Sequence, residues 1–202
     1  MIKAVVLDIG SVLEVIDDSV FPEPFERRQG LAAGSVAAAS DFPGDPLVGA
    51  VSEAEVRSHW QDRLGLDDDQ ADELMADQWR WYVGALDQPL YDWFAGLRGR
   101  GLVAGILSNS GPGAREAERV WRFEEITDDM VYSHEVGLAK PDPRIYELTA
   151  RRLDARPSEI VFLDDVLANV VAARAAGWHA VLHVDTERSI TEIERIIARE
   201  PT

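Results

Sequence analysis

Three aspartates, a serine, an asparagine and a lysine stand out because each follows a short apolar run or lies just beyond one. Asp8 closes Ala4-Val5-Val6-Leu7, Ser108-Asn109 close Leu102–Leu107, and Asp164-Asp165 close Ile160-Val161-Phe162-Leu163. Lys140 lies in a loop beyond a fourth candidate strand, Met130–Ser133. A carboxylate, a hydroxyl, an ammonium and a carboxylate pair are what phosphoryl transfer through a covalent aspartyl-phosphate requires. Asp8 can attack an anionic phosphorus centre only if charge is neutralised beside it, so a hard cation such as Mg²⁺ is needed. Such an ion prefers oxygen ligands, and Asp8 and Asp165 can supply them. Ser108 and the backbone amide of Asn109 can donate to phosphoryl oxygens, and Lys140 adds positive charge. Taken singly, these residues have ordinary structural roles: a serine caps a turn, a lysine before proline is solvated, paired aspartates charge a helix start. Four such groups, in this order at strand ends, are not easily explained that way.

The elements that must position them read as follows. The Val-, Ile- and Leu-rich runs predict strands buried on both faces of a parallel sheet, whose carboxyl ends gather on one edge. From Pro89 onward strand and helix alternate: a helix over Tyr91–Arg98, the strand Leu102–Leu107, a helix beginning near Pro112-Gly113-Ala114, and the strand Met130–Ser133. There follow a helix from Asp142-Pro143 to Leu153, the strand Ile160–Leu163, a helix over Asn169–Ala176, the strand Trp178–Val184 and an amphipathic helix from Ser189. That alternation is the signature of βαβ units. Between the first strand and this half the character changes. Pro24 opens a short helix, Ser52 to Glu55 is a capping box for a helix to Leu64 ended by Gly65, and Asp67 with Gln70 starts a second helix reaching Tyr82. Ala32 to Asp41 is unassigned, and no strand is predicted in the region. The expected architecture is therefore an α/β fold, a Rossmann-like doubly wound parallel sheet with an inserted α-helical cap. Residues 1–14 and 86–202 form the core and 15–85 the cap.

Composition narrows the partners. The 202 residues include 37 Asp and Glu against 20 Lys and Arg, a formal net charge of −17. That field argues against nucleic acid and anionic membrane, and it repels an anionic substrate unless a local cation intervenes. The chain has no cysteine, which excludes thiolate metal sites and cysteine nucleophiles. The amino terminus is too quickly charged for a signal peptide and no apolar run approaches a membrane span, so a cytoplasmic location is the default expectation. His59, His134, His179 and His183 show no metal-ligand spacing.

At this point the chain resembles the haloacid dehalogenase superfamily of hydrolases, in the subfamily whose helical cap follows the first strand. The resemblance rests on four motifs: Val6-Leu7-Asp8-Ile9-Gly10-Ser11-Val12; Leu107-Ser108-Asn109; Gly137-Leu138-Ala139-Lys140-Pro141-Asp142-Pro143; and Val161-Phe162-Leu163-Asp164-Asp165 with Asn169, Ala172-Ala173-Arg174 and Ala176-Gly177. Its motifs are most similar to bacterial sugar-1-phosphate phosphatases and to the amino-terminal phosphatase domain of soluble epoxide hydrolases. The resemblance implies a Mg²⁺-dependent phosphatase acting on a small phosphorylated metabolite. By position, Asp8 would be nucleophile and metal ligand, and the carbonyl of Gly10 a further ligand. Ser108 and Lys140 would bind phosphate, with Asn109 beside them. Asp165 would hold Mg²⁺ with Asp164 or Asn169 in support.

One position departs from the pattern. The family commonly has a second aspartate two residues after the nucleophile, where it protonates the leaving group and later activates water. Here Gly10 stands there, and glycine cannot move a proton. Substrates with good leaving groups, such as an anomeric phosphate, depend less on such an acid. Glu14, Asp17 and Asp18 are nearby substitutes, although they read more simply as solvated residues at the cap hinge. Two other functions stay open: a metal-independent dehalogenase with Asp8 attacking carbon, and a phosphate- or partner-binding protein with weak turnover. In the cap, Trp60, Trp79, Trp81 and Phe42 are aromatics that can line a pocket or simply pack its helices.

Overall fold

Strand β1 (Ala4–Leu7) is buried at all four residues, because it lies in the middle of the sheet with a neighbour on each side. The computed structural model describes residues 1–198. After β1 come β2 (Glu14–Val15), α1 (Glu23–Arg28), α2 (Ser35–Ala38), α3 (Glu53–Leu64), α4 (Asp68–Val83), β3 (Ala85–Leu86) and α5 (Gln88–Ala95). The remainder is β4 (Val103–Ser108), α6 (Ala114–Ala117), α7 (Phe123–Ile126), β5 (Asp129–Tyr132), α8 (Ser133–Val136), α9 (Pro143–Arg152), β6 (Ile160–Asp164), α10 (Leu167–Ala175), β7 (His179–Leu182) and α11 (Thr186–Ile197). Five strands form one sheet in the order β5-β4-β1-β6-β7, every pairing parallel. Ala4 stands opposite both Val103 and Ile160, so the three central strands start in step and finish at one edge.

Side chains alternate across the sheet as the two-residue period requires. Val5, Leu7, Ile106 and Leu163 enter one apolar cluster with Leu90 and Phe94 of α5, Phe123 of α7 and Ile193 of α11. Ala4, Val6, Leu107 and Phe162 enter the other with Ile145 and Tyr146 of α9 and Val170 of α10. The sheet is thus covered on both faces, which explains why its strands read as unbroken apolar runs. The helices of the inserted region hold a third cluster of their own, built on Phe25, Trp60, Leu74 and Met75. Both capping boxes read from sequence form, at Ser52 with Glu55 and at Asp67 with Gln70. No helix among the described residues is long and apolar enough to cross a membrane.

Several element boundaries differ from expectation, each for a local reason. α5 starts at Gln88 because Asp87 caps it, its carboxylate accepting from the Leu90 amide at 2.9 Å. α11 likewise starts at Thr186 because Asp185 accepts from the Arg188 amide at 2.9 Å. The helix expected from Ala114 is broken into short turns, with Arg122 in the left-handed region at φ 58°. α10 begins at Leu167, two residues earlier than expected, and Ala32 to Asp41 contains the single turn α2.

The region expected to lack strands contains a short antiparallel ribbon, with Glu14 opposite Leu86 and Val15 opposite Ala85. It pins the two ends of the insertion together at the entrance to the core. Gly84 makes the approach possible: at φ 55°, a Cβ there would lie 2.3 Å from the Val15 carbonyl oxygen.

On the α9–α10 face, Tyr146, Phe162 and Trp178 meet edge to face, with ring centroids 5.4 to 6.1 Å apart. Phe162 is fully buried. Phe162→Ala is therefore expected to cost about 3–5 kcal/mol of stability, measured by urea unfolding, because it removes a large ring from a site that cannot collapse.

Candidate active site

The parallel register delivers Asp8, Ser108 and Asp164 to the same edge, one from each central strand. The Asp8 amide still donates to the Leu163 carbonyl at 3.0 Å, so the nucleophile candidate stands on the last rung of the ladder. Its Oδ1 accepts from the Ile9 amide at 2.8 Å. Lys140 arrives from the loop after α8 with its side chain fully buried, and its Nζ lies 2.8 Å from Asp8 Oδ2 and 2.8 Å from Asp164 Oδ2. A third contact runs to the Leu107 carbonyl at 2.8 Å. An ammonium has three donors, and all three have acceptors here. In this arrangement Lys140 is a fixed counter-ion between two aspartates, with no donor left over.

Asn109 holds that loop in place. Its Nδ2 donates to the Lys140 carbonyl at 2.8 Å and its Oδ1 accepts from the Lys140 amide at 2.8 Å. The Oδ1 and one of the two side-chain N–H groups are thereby engaged. Ser108 ends β4 almost fully buried, with the Tyr82 hydroxyl beside it. Asp164 is fully buried, and its Oδ1 accepts from the Val166 amide at 2.8 Å and from Asn169 Nδ2 at 3.0 Å. Asn169 therefore presents its N–H groups to Asp164 and orients it. Asp165, next in the chain, is only partly buried. Burial raises its pKa, with the neighbouring Asp164 charge adding to the effect.

Burial also pushes the Asp8 carboxyl well above its ordinary range, the Lys140 ammonium pulling against it and Asp164 adding to the rise. One carboxylate oxygen from each of Asp8, Asp164 and Asp165 lies within 4.8 Å of the others, the one such acidic or histidine grouping among the described residues. Three carboxylates against one ammonium leave the cluster with two negative charges in excess. An all-oxygen donor set with that imbalance fits a divalent hard cation such as Mg²⁺. Asp8 and Asp165 are the open members, since Asp164 is already saturated by Lys140, Asn169 and a backbone amide. At Gly10, two residues after Asp8, an added Cβ would meet nothing closer than Ile16 Cδ1 at 3.6 Å.

The substitute acids divide sharply. Asp17 and Asp18 are exposed, Asp17 accepting from the Ser19 amide at 2.9 Å and Asp18 from Trp81 Nε1 at 3.0 Å. Glu14 is not solvated, contrary to expectation: it is fully buried and neither carboxyl oxygen has a hydrogen-bond partner. The cause is its place in β2, where ribbon pairing and a bridge to Gly10 turn the side chain inward. Beside it lies Glu118, also buried, accepting a short hydrogen bond from the Tyr132 hydroxyl while its Oε1 is unpartnered. Burial drives Glu14 up to about 10 and Glu118 up to about 7, each raised further by a neighbouring carboxylate. Glu14 had a legible signal, the single acid in Val12-Leu13-Glu14-Val15-Ile16. Glu118, Tyr132 and Tyr82 had none, because only the fold brings them together. Of the histidines, His134 lies 2.9 Å from Ser110 Oγ and His183 2.9 Å from Ser189 Oγ, and none joins the acidic cluster.

Comparison with known proteins shows the family. The haloacid dehalogenase-like hydrolase family matches residues 2–177, and the chain belongs to that family. It is 34% identical over 105 residues to bifunctional epoxide hydrolase 2 of Sus scrofa, covering 50% of this chain and 19% of that one. To the phosphorylated carbohydrates phosphatase of Thermotoga maritima it is 38% identical over 80 residues, covering 39% and 37% of the respective chains. The match thus spans well under half of either relative. A solved enzyme of the same family from Bacteroides thetaiotaomicron, in complex with magnesium and inorganic phosphate, superposes with a TM-score of 0.73 at 22% identity over 90% of this chain and 94% of that one.

The buried acids make stability depend on pH in a definite direction. A carboxyl whose folded pKa exceeds its unfolded value contributes stability that is complete below the unfolded pKa and is lost as pH rises through the folded one. For Glu14 that window runs from its ordinary 4.5 to about 10. With chelator present, stability is expected to fall between pH 5 and pH 8, and Glu14→Gln to flatten that fall by up to about 1.4 kcal/mol per pH unit. Thermal unfolding of both proteins across that range measures it.

Proposed function

We propose that the chain is a Mg²⁺-dependent phosphatase that hydrolyses a small phosphomonoester through an aspartyl-phosphate on Asp8. The observation that carries this reading is the convergence of Asp8, Asp164 and Asp165 about the buried Lys140. A carboxylate held at Oδ1 by the Ile9 amide and at Oδ2 by Lys140 is fixed in orientation, as a nucleophile must be. Asp8 attacks phosphorus, the ester oxygen leaves with its electron pair, and water then hydrolyses the acyl phosphate to free Asp8. Ser108 Oγ and the Asn109 amide donate to the phosphoryl oxygens, and Lys140 pulls Asp8 toward its ionised form and holds Asp164 beside it. Bound beside Asp8 and Asp165, Mg²⁺ would neutralise the charge between two anions and polarise the phosphoryl group. Gly10 supplies no proton, so the leaving group departs without an acid at that position. Activity is therefore expected to favour low-pKa leaving groups.

A dehalogenase reading, with Asp8 attacking carbon, is disfavoured by the same acidic cluster. Three carboxylates around an anionic haloacid raise the barrier unless a cation is present. Gly10 favours a second reading, a phosphate-binding protein of the same fold with little turnover.

Phosphate release from an aryl phosphate and a sugar 1-phosphate, with Mg²⁺ and with chelator, separates these. Turnover is expected only with Mg²⁺, and Asp8→Asn is expected to reduce it at least a thousandfold while the protein remains folded. Absence of turnover in a folded, Mg²⁺-binding protein would favour the binding role instead. A second expectation concerns the missing acid. Gly10→Asp has room for its Cβ and is expected to raise kcat on alkyl phosphates by about 10²-fold, with a much smaller gain on aryl phosphates, which need no proton to leave. Steady-state kinetics on the two substrate types measures the difference.

A further inference from the structure

The last turn of α4 carries a hydroxyl into the core. Tyr82 is the penultimate residue of that helix, and its hydroxyl is hydrogen-bonded both to the Ser108 hydroxyl and to the Glu118 carboxyl. Its place is held from the insertion side. The Tyr82 ring meets Trp79 edge to face with centroids 5.4 Å apart, and Trp79 Nε1 donates to Glu53 at 2.7 Å. Trp79 and Glu53 in turn lie over Gly113, at φ 99°, where a Cβ would come within 2.5 Å of the indole. Of the other aromatics singled out in the insertion, Phe42 packs on Trp60 and Trp81 on Phe21.

Glu118, just after α6, is almost wholly buried. Its Oε2 accepts from the Tyr132 hydroxyl, and the Arg115 guanidinium lies 4.3 Å from the centre of the Tyr132 ring. Its Oε1 has no donor to meet it, and neither has either oxygen of the neighbouring Glu14. A buried carboxylate oxygen without a donor is costly, whereas a protonated carboxyl becomes a donor itself. The groups facing Glu118 are Tyr82 from α4, Tyr132 from β5, Glu14 from β2, Asp8 beyond β1 and Arg115 from α6. Burial raises its pKa to about 7, the two tyrosine hydroxyls and Arg115 opposing that rise and Asp8 adding to it. Both protonation states are therefore populated near neutrality. The Tyr82 phenol stays neutral throughout, because burial lifts its pKa well above the usual value.

We infer that Glu118, acting through Tyr82, is a positioning residue for Ser108: protonated, it donates to the Tyr82 oxygen, Tyr82 donates to Ser108 Oγ, and the single Ser108 proton is left for a phosphoryl oxygen. The inference rests on the phosphatase reading for the anion at Ser108 and on the three linked side chains for the rest. Each hydroxyl has one proton to give, so the chain has two polarities. Ionised Glu118 takes the Tyr82 proton instead, and the Tyr82 oxygen then draws the Ser108 proton toward itself. An anion at Ser108 meets a competing acceptor and a buried negative charge in that state. It is bound more tightly below the Glu118 pKa than above it.

Sulfate with Mg²⁺ is the probe, because it is a tetrahedral dianion that does not titrate between pH 6 and pH 8. Calorimetry is expected to give wild type and Glu118→Gln, whose carboxamide keeps a donor, equal affinities at pH 6. At pH 8 wild type is expected to bind about fivefold more weakly than Glu118→Gln, the worth of one hydrogen bond. In a Tyr82→Phe background the Glu118→Gln exchange is expected to change the pH 8 affinity by no more than about twofold, since the link is cut while Glu118 stays buried. Ser108→Ala removes the receiving end instead and is expected to erase the same difference, which keeps the test available if Tyr82→Phe does not fold. Equal affinities at pH 8, or sulfate that binds at neither pH, overturn the inference. So does a difference that survives Tyr82→Phe, since that marks a plain charge effect. The expected pattern in a protein that releases phosphate from no monoester overturns the phosphatase reading and leaves the positioning role standing.

Discussion

The buried ammonium of Lys140 is the constraint on which the site depends. Its side chain is wholly inside the protein, where an unpaired charge costs several kcal/mol, and it is tolerated because all three of its donors have acceptors at 2.8 Å. Those acceptors come from three different strands: Asp8 beyond β1, Leu107 in β4 and Asp164 at the end of β6. One side chain therefore ties the register of the central sheet to the orientation of the nucleophile. Removing it would leave two buried aspartates facing each other, so fold and site would suffer together. Asn109 and Asn169 act on the same unit from outside, one fixing the backbone of Lys140 and the other the carboxylate of Asp164.

Around that unit the charge does not balance, and the imbalance explains the chemistry expected of the site. Two excess negative charges in a chain with a net charge of −17 make a poor receptor for a phosphate dianion on their own. The same excess makes a good receptor for a divalent cation. The three clustered carboxylates are the donor set for such an ion. In the proposed reaction Gly10 is the position that lacks a proton donor. With no acid at that position, the burden falls on the leaving group.

The insertion reaches the strand edge. Its helices pack on their own cluster, yet the ribbon of β2 and β3 and the last turn of α4 bring it against the strand edge. That close approach buries Glu14 and Glu118 beside the site as protonatable groups with few partners.

Much of this was legible in the chain itself. Apolar runs ending in Asp8, Ser108 and Asp164 specify central parallel strands, because only strands covered on both faces are apolar throughout. Strands that run parallel must finish at one edge, so the convergence of their terminal residues followed from local pattern alone. The capping boxes at Ser52 and Asp67 were equally local. Other features had no local cause. Glu14 is buried because β3, some seventy residues later, pairs with its strand. Glu118 meets Tyr132 and Tyr82 only through tertiary packing, and Asn109 could be seen as a candidate but not as the clamp on Lys140. Sequence determined which residues stand at the strand ends, through the period of burial; the tertiary structure decided which of them are saturated, which remain open and what faces them, because those outcomes depend on contacts between segments far apart in the chain.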